Sequence, residues 1–152
     1  MMNYDSYYMR EALKEAKKAA TIGEIPIGAV VVKDNQIIGR GHNFREHSNI
    51  AMQHAEINAI EQANINQKSW RLIDCTMYVT IEPCVMCAGA ILNSRIKRVV
   101  YGAENKKAGS INSLYQLLSD SRQNHQVEVT NGIEFEEASK IMKEFFKNKR
   151  KS

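Results

Sequence analysis

The segment from Cys75 to Tyr101, CTMYVTIEPCVMCAGAILNSRIKRVVY, holds two β-rich runs separated by a Pro-Cys step and a small-residue stretch. Residues 75–81 and 97–101 carry the β-branched and aromatic side chains that favour strands. Pro83 suits the opening turn of a helix, where its missing N–H costs nothing, and that helix is predicted to run to about Asn93. Upstream, Met9, Ala12, Leu13, Ala16, Ala19 and Ala20 repeat at helical spacing, with Asp5 or Ser6 as N-cap and Gly23 as the stop. Runs 27–32 and 36–42, separated by Lys33, Asp34 and Asn35, predict a hairpin. Residues 43–53 have no period. A second helix follows, with Ala55, Ala59, Ile60 and Ala63 as its apolar stripe and His54 and Glu56 in its first turn. Downstream, 113–119 is expected to form a short helix, 127–130 a strand, Asn131-Gly132 a turn and 135–147 a last amphipathic helix. Strands that alternate with helices after the hairpin imply a sheet covered on both faces. The expected fold is an α/β, three-layer α/β/α sandwich around a mixed central sheet of about five strands.

The 152 residues suit one domain over 1–152, with a basic helix end from about 140, and a chain of this size can bury a core without staples. Hydrophobic residues make up 43% and charged residues 25%, and no apolar run approaches the length of a membrane span. The N-terminus MMNYDSYYMREALKEAKKAA lacks the basic and apolar regions of a signal peptide, so it is expected to belong to the fold and the protein to the cytoplasm. Three cysteines, two of them in a C-x-x-C, make no disulfide framework. The net charge of +4 is uneven: Lys140, Lys143, Lys147, Lys149, Arg150 and Lys151 face only Glu144 between 140 and 152. Such an end suits an anionic partner such as nucleic acid, or simply keeps a protein soluble.

His54 and Glu56, with Pro83, Cys84 and Cys87 about thirty residues on, form the pattern H-x-E … P-C-x-x-C. One imidazole and two thiolates give zinc three ligands and leave a fourth position for water, as catalytic sites do. Two helix N-termini, one carrying His54 and Glu56 and the other Cys84 and Cys87, are expected to face each other at one edge. Their dipoles favour thiolate and a nearby carboxylate. Glu56 is placed to take a proton from a water acidified to a pKa near ~7, to protonate a ring nitrogen of an aminated heterocycle, and to pass a proton to the departing amine. The alternative is a closed structural site with His42, His47 or Cys75 as fourth ligand. Cys75, at the head of a strand, is expected instead to be a small buried hydrophobe.

His54-Ala55-Glu56 and Glu82-Pro83-Cys84-Val85-Met86-Cys87-Ala88-Gly89-Ala90-Ile91 resemble the zinc-dependent cytidine deaminase superfamily. Within it the chain resembles the bacterial tRNA-specific adenosine deaminases, the TadA family. The segments Glu24-Ile25-Pro26-Ile27-Gly28-Ala29, Gly41-His42-Asn43, Trp70-Arg71-Leu72, Val99-Val100-Tyr101-Gly102-Ala103, Ser113-Leu114, Asn124-His125 and Phe145-Phe146 carry that resemblance over nearly the whole chain. It implies a cytidine-deaminase-like fold, a homodimer with one zinc ion per subunit, and conversion of adenosine to inosine at the wobble position of an arginine tRNA with an ACG anticodon. It further implies Glu56 as proton shuttle and His54, Cys84 and Cys87 as zinc ligands. Asn43 would contact the extruded nucleotide, and the Cys84 N–H would support the developing oxyanion. The tRNA anticodon loop would be held around Asn105 and Lys107 and by Arg150. Phe145 and Phe146 are expected in the core, because they extend the stripe of Ile141 and Met142. The chain departs from many members at Ala51-Met52-Gln53, at Asn105, where Asp is common, and at Ile111-Asn112 in place of a Gly-rich stretch. The competing functions are a guanine or other free-base or nucleotide deaminase, which shares the zinc core, and a non-catalytic zinc-stabilised RNA-binding module.

Overall fold

The computed structural model describes residues 4–151, and the side chains of residues 4–150. Met1 to Asn3 and Ser152, which the expected domain and basic end include, lie outside the described residues. The elements are α1 (Asp5–Thr21), β1 (Gly28–Lys33), β2 (Gln36–His42), α2 (Arg45–Ser48), α3 (Ala55–Gln67), β3 (Thr76–Ile81), α4 (Val85–Ser94), β4 (Arg98–Ala103), β5 (Glu128–Thr130) and α5 (Phe135–Lys151). The strands form one mixed sheet in the order β2-β1-β3-β4-β5. β1 pairs antiparallel with both β2 and β3, whereas β3, β4 and β5 run parallel. Alternate side chains of a strand point to opposite faces, and the core divides accordingly. Ala29, Val31, Met77, Val79, Val99 and Tyr101 face α3 and α4. Val30, Val32, Tyr78 and Val100 pack with Tyr8, Met9 and Leu13 of α1 and Ala138 and Ile141 of α5. The expected three-layer sandwich is the fold found.

The hairpin closes through Asp34 and Asn35, at φ 50° and 61°, the left-handed pair that a tight two-residue turn between twisted strands demands. α3 owes its place to small residues on both sides. Ala55, Ala59 and Ala63 form its buried stripe, and β2 offers Gly39 and Gly41 beneath them. A Cβ on Gly41 would run into the Ala55 carbonyl and the Ala59 nitrogen, and one on Gly39 into the Ala59 carbonyl. Helix backbone therefore lies directly on strand backbone, which fixes the helix entrance at His54.

Four local expectations need correction. Tyr4, not Asp5 or Ser6, occupies the N-cap of α1. Asp5 instead makes a two-pronged ion pair with Arg98, at 2.9 and 2.7 Å, and accepts from the Tyr78 hydroxyl. That partnership holds its carboxyl below the ordinary range, the Arg98 hydrogen bond outweighing burial. His54 and Cys84 are the N-caps of α3 and α4 rather than residues within their first turns, and Pro83 precedes the cap. Residues 43–53 include the short α2, which Asn49 ends at φ 57°. The helix expected over 113–119 is absent; the segment is turns, because the N–H groups of Ile111, Asn112 and Ser113 point at the Glu82 carboxylate instead of at preceding carbonyls. No helix among the described residues is long and apolar enough to cross a membrane.

Gly41→Ala is expected to destabilise the fold by about 1–3 kcal/mol in urea denaturation, the ordinary cost of overpacking, and to weaken metal binding through a displaced His54. A variant of wild-type stability would contradict the direct contact of α3 with β2.

Candidate active site

The entrances of α3 and α4 meet beneath one end of the sheet. His54 precedes α3 with extended backbone, φ −83° and ψ 157°, and Cys84 precedes α4 likewise, φ −78° and ψ 179°. Both ligand candidates thus sit at helix caps, and Cys87, the third residue of α4, joins them from its first turn. The His54 Nδ1 stands 3.7 Å from the Cys84 Sγ and 3.6 Å from the Cys87 Sγ. The three donor atoms lie within 4.8 Å of one another, and they are the only group of three or more His, Cys, Asp or Glu side chains among the described residues that could hold a metal ion.

The spacing matches a tetrahedral cation. Bonds of about 2.3 Å to thiolate and about 2.0–2.1 Å to imidazole, at tetrahedral angles, put nitrogen and sulfur roughly 3.6 Å apart. The charges agree. The Cys87 thiol and the His54 imidazole hold the Cys84 thiol down to about 3, while the Cys84 sulfur and burial push Cys87 up. Hydrogen bonding to Cys84 likewise raises His54. A divalent ion would displace these protons and let both sulfurs be anions. The other sequence candidates for a ligand stand elsewhere. His42 contacts Glu15 at 3.4 Å and His47 contacts Glu24 at 2.6 Å. Cys75 is fully buried, its thiol directed at the Ile73 carbonyl, in keeping with its expected role as a small hydrophobe.

Glu56 is 4% exposed, in the first turn of α3. Burial, more than any other influence, pushes its carboxyl up to about 7. It can therefore hold or release a proton near neutrality, as a general acid–base must.

His54, Glu56 and Cys84 floor a cleft of about 640 Å³. One wall carries Asn43, buried, and Arg45 of α2; the opposite wall is the segment Asn105–Ala108, with Lys107 exposed. A third side is α5, which contributes Ser139, Met142, Lys143 and Phe146. Phe146 is 41% exposed, so the expectation of a core residue fails for it, and Phe145 is half-buried under Lys149 rather than in either core cluster. Past Ile141 the apolar stripe leaves the sheet and turns toward the cleft. Arg150 is exposed and does not line the cleft, but it lies one turn beyond Phe146 on the same helical face. Sequence reasoning gave no role to Glu24 or Glu82, both buried here. A lone charge closing the apolar run 76–81 was the signal for Glu82, since a buried carboxylate must have partners.

Comparison with known proteins agrees with this geometry. A family model described as MafB19-like deaminase matches residues 2–150. The chain is 55% identical over 145 residues to a tRNA-specific adenosine deaminase of Streptococcus pyogenes serotype M1, which spans 95% of this chain and 85% of the relative. A solved structure from a study of A-to-I editing by tRNA:A34 deaminases at the wobble position of transfer RNA is similar at a TM-score of 0.86 and 38% identity, over 89% of this chain and 98% of the other. A guanine deaminase from Bacillus subtilis is similar at 0.63 and 41% identity, over 68% and 66%.

Native mass spectrometry is expected to find one divalent metal ion per chain in the wild type and in Cys75→Ser and His47→Ala, and none in His54→Ala or Cys87→Ser. Loss of metal from Cys75→Ser would contradict the three-ligand assignment.

Proposed function

The chain belongs to the family of bacterial tRNA-specific adenosine deaminases, and from that premise we propose that it deaminates adenosine to inosine at the wobble position of a tRNA anticodon, with one zinc ion held by His54, Cys84 and Cys87. The observation that carries the reading is the juxtaposition of the three-donor cluster with a buried Glu56 of raised pKa at the bottom of a cleft whose rim is basic. Two thiolates and one imidazole at tetrahedral spacing suit zinc and leave a coordination position free. Zinc, when bound, supplies a Lewis acid that acidifies water. Glu56 carries the protons: it takes one from water and delivers it to the ring nitrogen beside the reacting carbon, then takes the second from the added hydroxyl and passes it to the amine as the C–N bond breaks. Ammonia leaves and a carbonyl remains. The N–H at Cys84, at the mouth of α4, favours the negative charge that develops on oxygen during the addition.

The walls support RNA over a free base. Arg45, Lys106, Lys107 and Lys143 outnumber the exposed Glu104 around the opening and leave it positive, as suits phosphates, and Phe146 offers an exposed face on which a splayed base can stack. Asn43 is the polar contact for the extruded nucleotide, while Asn105, Lys107 and, further along α5, Arg150 hold the anticodon loop. We assign the arginine tRNA with an ACG anticodon as the substrate, on the resemblance of the chain to its family. A homodimer would suit the apolar side chains exposed at Val85, Leu114 and Tyr115, and a tRNA substrate suits a cytoplasmic protein. The similarity to a guanine deaminase structure keeps that activity as the rival reading.

Incubation with an ACG-anticodon stem-loop, free adenosine and guanine, read by mass spectrometry, is expected to give inosine from the stem-loop alone. Xanthine without inosine would favour the rival, and neither product from metal-loaded protein would favour a binding module. Glu56→Ala is expected to keep its zinc and lose about 10²–10⁴-fold in turnover; turnover at the wild-type rate would remove Glu56 from the mechanism.

A further inference from the structure

Two carboxylates are withdrawn from solvent without serving the metal or the proton transfer: Glu24, 0% exposed, and Glu82, 2% exposed. Each ends in a set of hydrogen-bond donors from one wall of the cleft. The Glu82 Oε1 accepts from the Asn105 N–H at 3.1 Å and from the Ser113 hydroxyl. Its Oε2 accepts from the N–H groups of Ile111, Asn112 and Ser113 at 3.1, 2.8 and 2.9 Å. Across the cleft, Glu24 accepts from the Glu46 N–H at 3.2 Å and the His47 N–H at 2.8 Å, and meets the His47 Nδ1 at 2.6 Å.

Neither wall can hold itself. Residues 104–127 contain no helix or strand, so their backbone donors have no ladder to join, and α2 is too short to be stable alone. Glu82 supplies what the ladder would. The segment wraps around its carboxylate so closely that a Cβ on Gly109 would strike that carboxylate and the Asn105 carbonyl. Gly109 also bridges to Cys84, and the Ser110 N–H donates to the Pro83 carbonyl at 2.9 Å, which ties the wall to the metal-bearing helix. What the two carboxylates hold is the rim itself: Asn105 to Ala108 on one side, Asn43 and Arg45 on the other. Only an acceptor-only group fits. A glutamine in place of Glu82 would turn its NH₂ toward donors at one oxygen position or the other.

We propose that Glu24 and Glu82 are positioning residues for RNA deamination, each fixing through its buried carboxylate the shape of one wall, so that the RNA meets a preformed rim. This rests on the RNA reading of the cleft. A preformed rim spares the ordering cost that a mobile one would charge against binding, so its loss shows in KM more than in kcat.

The test uses the full metal-loaded chain as wild type, E82Q, E24Q and the double variant, with the ACG-anticodon stem-loop as substrate. Each single variant is expected to raise KM about tenfold with kcat within about threefold, and the double variant to raise it about a hundredfold, because the walls share no donor. Amide hydrogen exchange, which needs no RNA, is expected to quicken at Asn105 and 111–113 in E82Q alone and at Glu46 and His47 in E24Q alone. Unchanged KM, or a fall in kcat alone, in folded and metal-loaded variants would overturn the proposal. If E82Q does not fold, S113A removes one donor while keeping the carboxylate, and wild-type KM and exchange in that variant would overturn it equally. If the wild type makes no inosine, the RNA reading fails; wall-specific exchange would still uphold the positioning of the walls, and uniform exchange would refute it.

Discussion

The separations of 3.6 and 3.7 Å between the His54 imidazole and two sulfurs from a helix thirty residues further on set what the rest of the fold must do. Two helices have to start at the same place, with their first turns turned toward each other. α3 meets the requirement by lying on the backbone of β2, where Gly39 and Gly41 leave no room for error along its axis. α4 meets it by following β3, the central strand, through Glu82 and Pro83. A shift of α3 by one residue along β2 would carry Gly41 under a different carbonyl and take His54 out of reach of both sulfurs.

Three glutamates are buried around that point, and the local donors decide what each one is. Glu24 and Glu82 lose solvent, which pushes their carboxyls up, yet side-chain and backbone donors outweigh the loss and hold both below the ordinary range. Glu56 is buried as deeply without a comparable set of donors, and burial wins, to about 7. The same residue type therefore provides two carboxylates held as anions and one carboxyl poised near neutrality. Among the described residues, no buried side-chain nitrogen or oxygen lacks a hydrogen-bond partner, so these charges are placed without loose ends.

The layers, the hairpin and the cluster of His54, Cys84 and Cys87 were legible in the sequence, because each rests on local signals: period, turn residues and metal-ligand spacing. Ala55, Ala59, Ile60 and Ala63 were readable as a buried stripe and are buried. What escaped depended on partners distant in the chain. The turn at 111–113, where a helix was expected to start, is held by Glu82, some thirty residues earlier, which no local propensity announces. Asp5 looked like a cap and is instead bound to Arg98 on the fourth strand. Phe146 shared a helical stripe with core residues, but the helix outruns the sheet it packs on, and the same face becomes cleft wall.

X-ray absorption spectroscopy of the zinc-loaded protein bears most directly on a three-ligand site with one position left for water. Such a site predicts two sulfur scatterers at about 2.3 Å with one imidazole nitrogen and one light, non-imidazole scatterer at about 2.0–2.1 Å. A third sulfur or a second imidazole in that shell would mean a closed structural site and would contradict it.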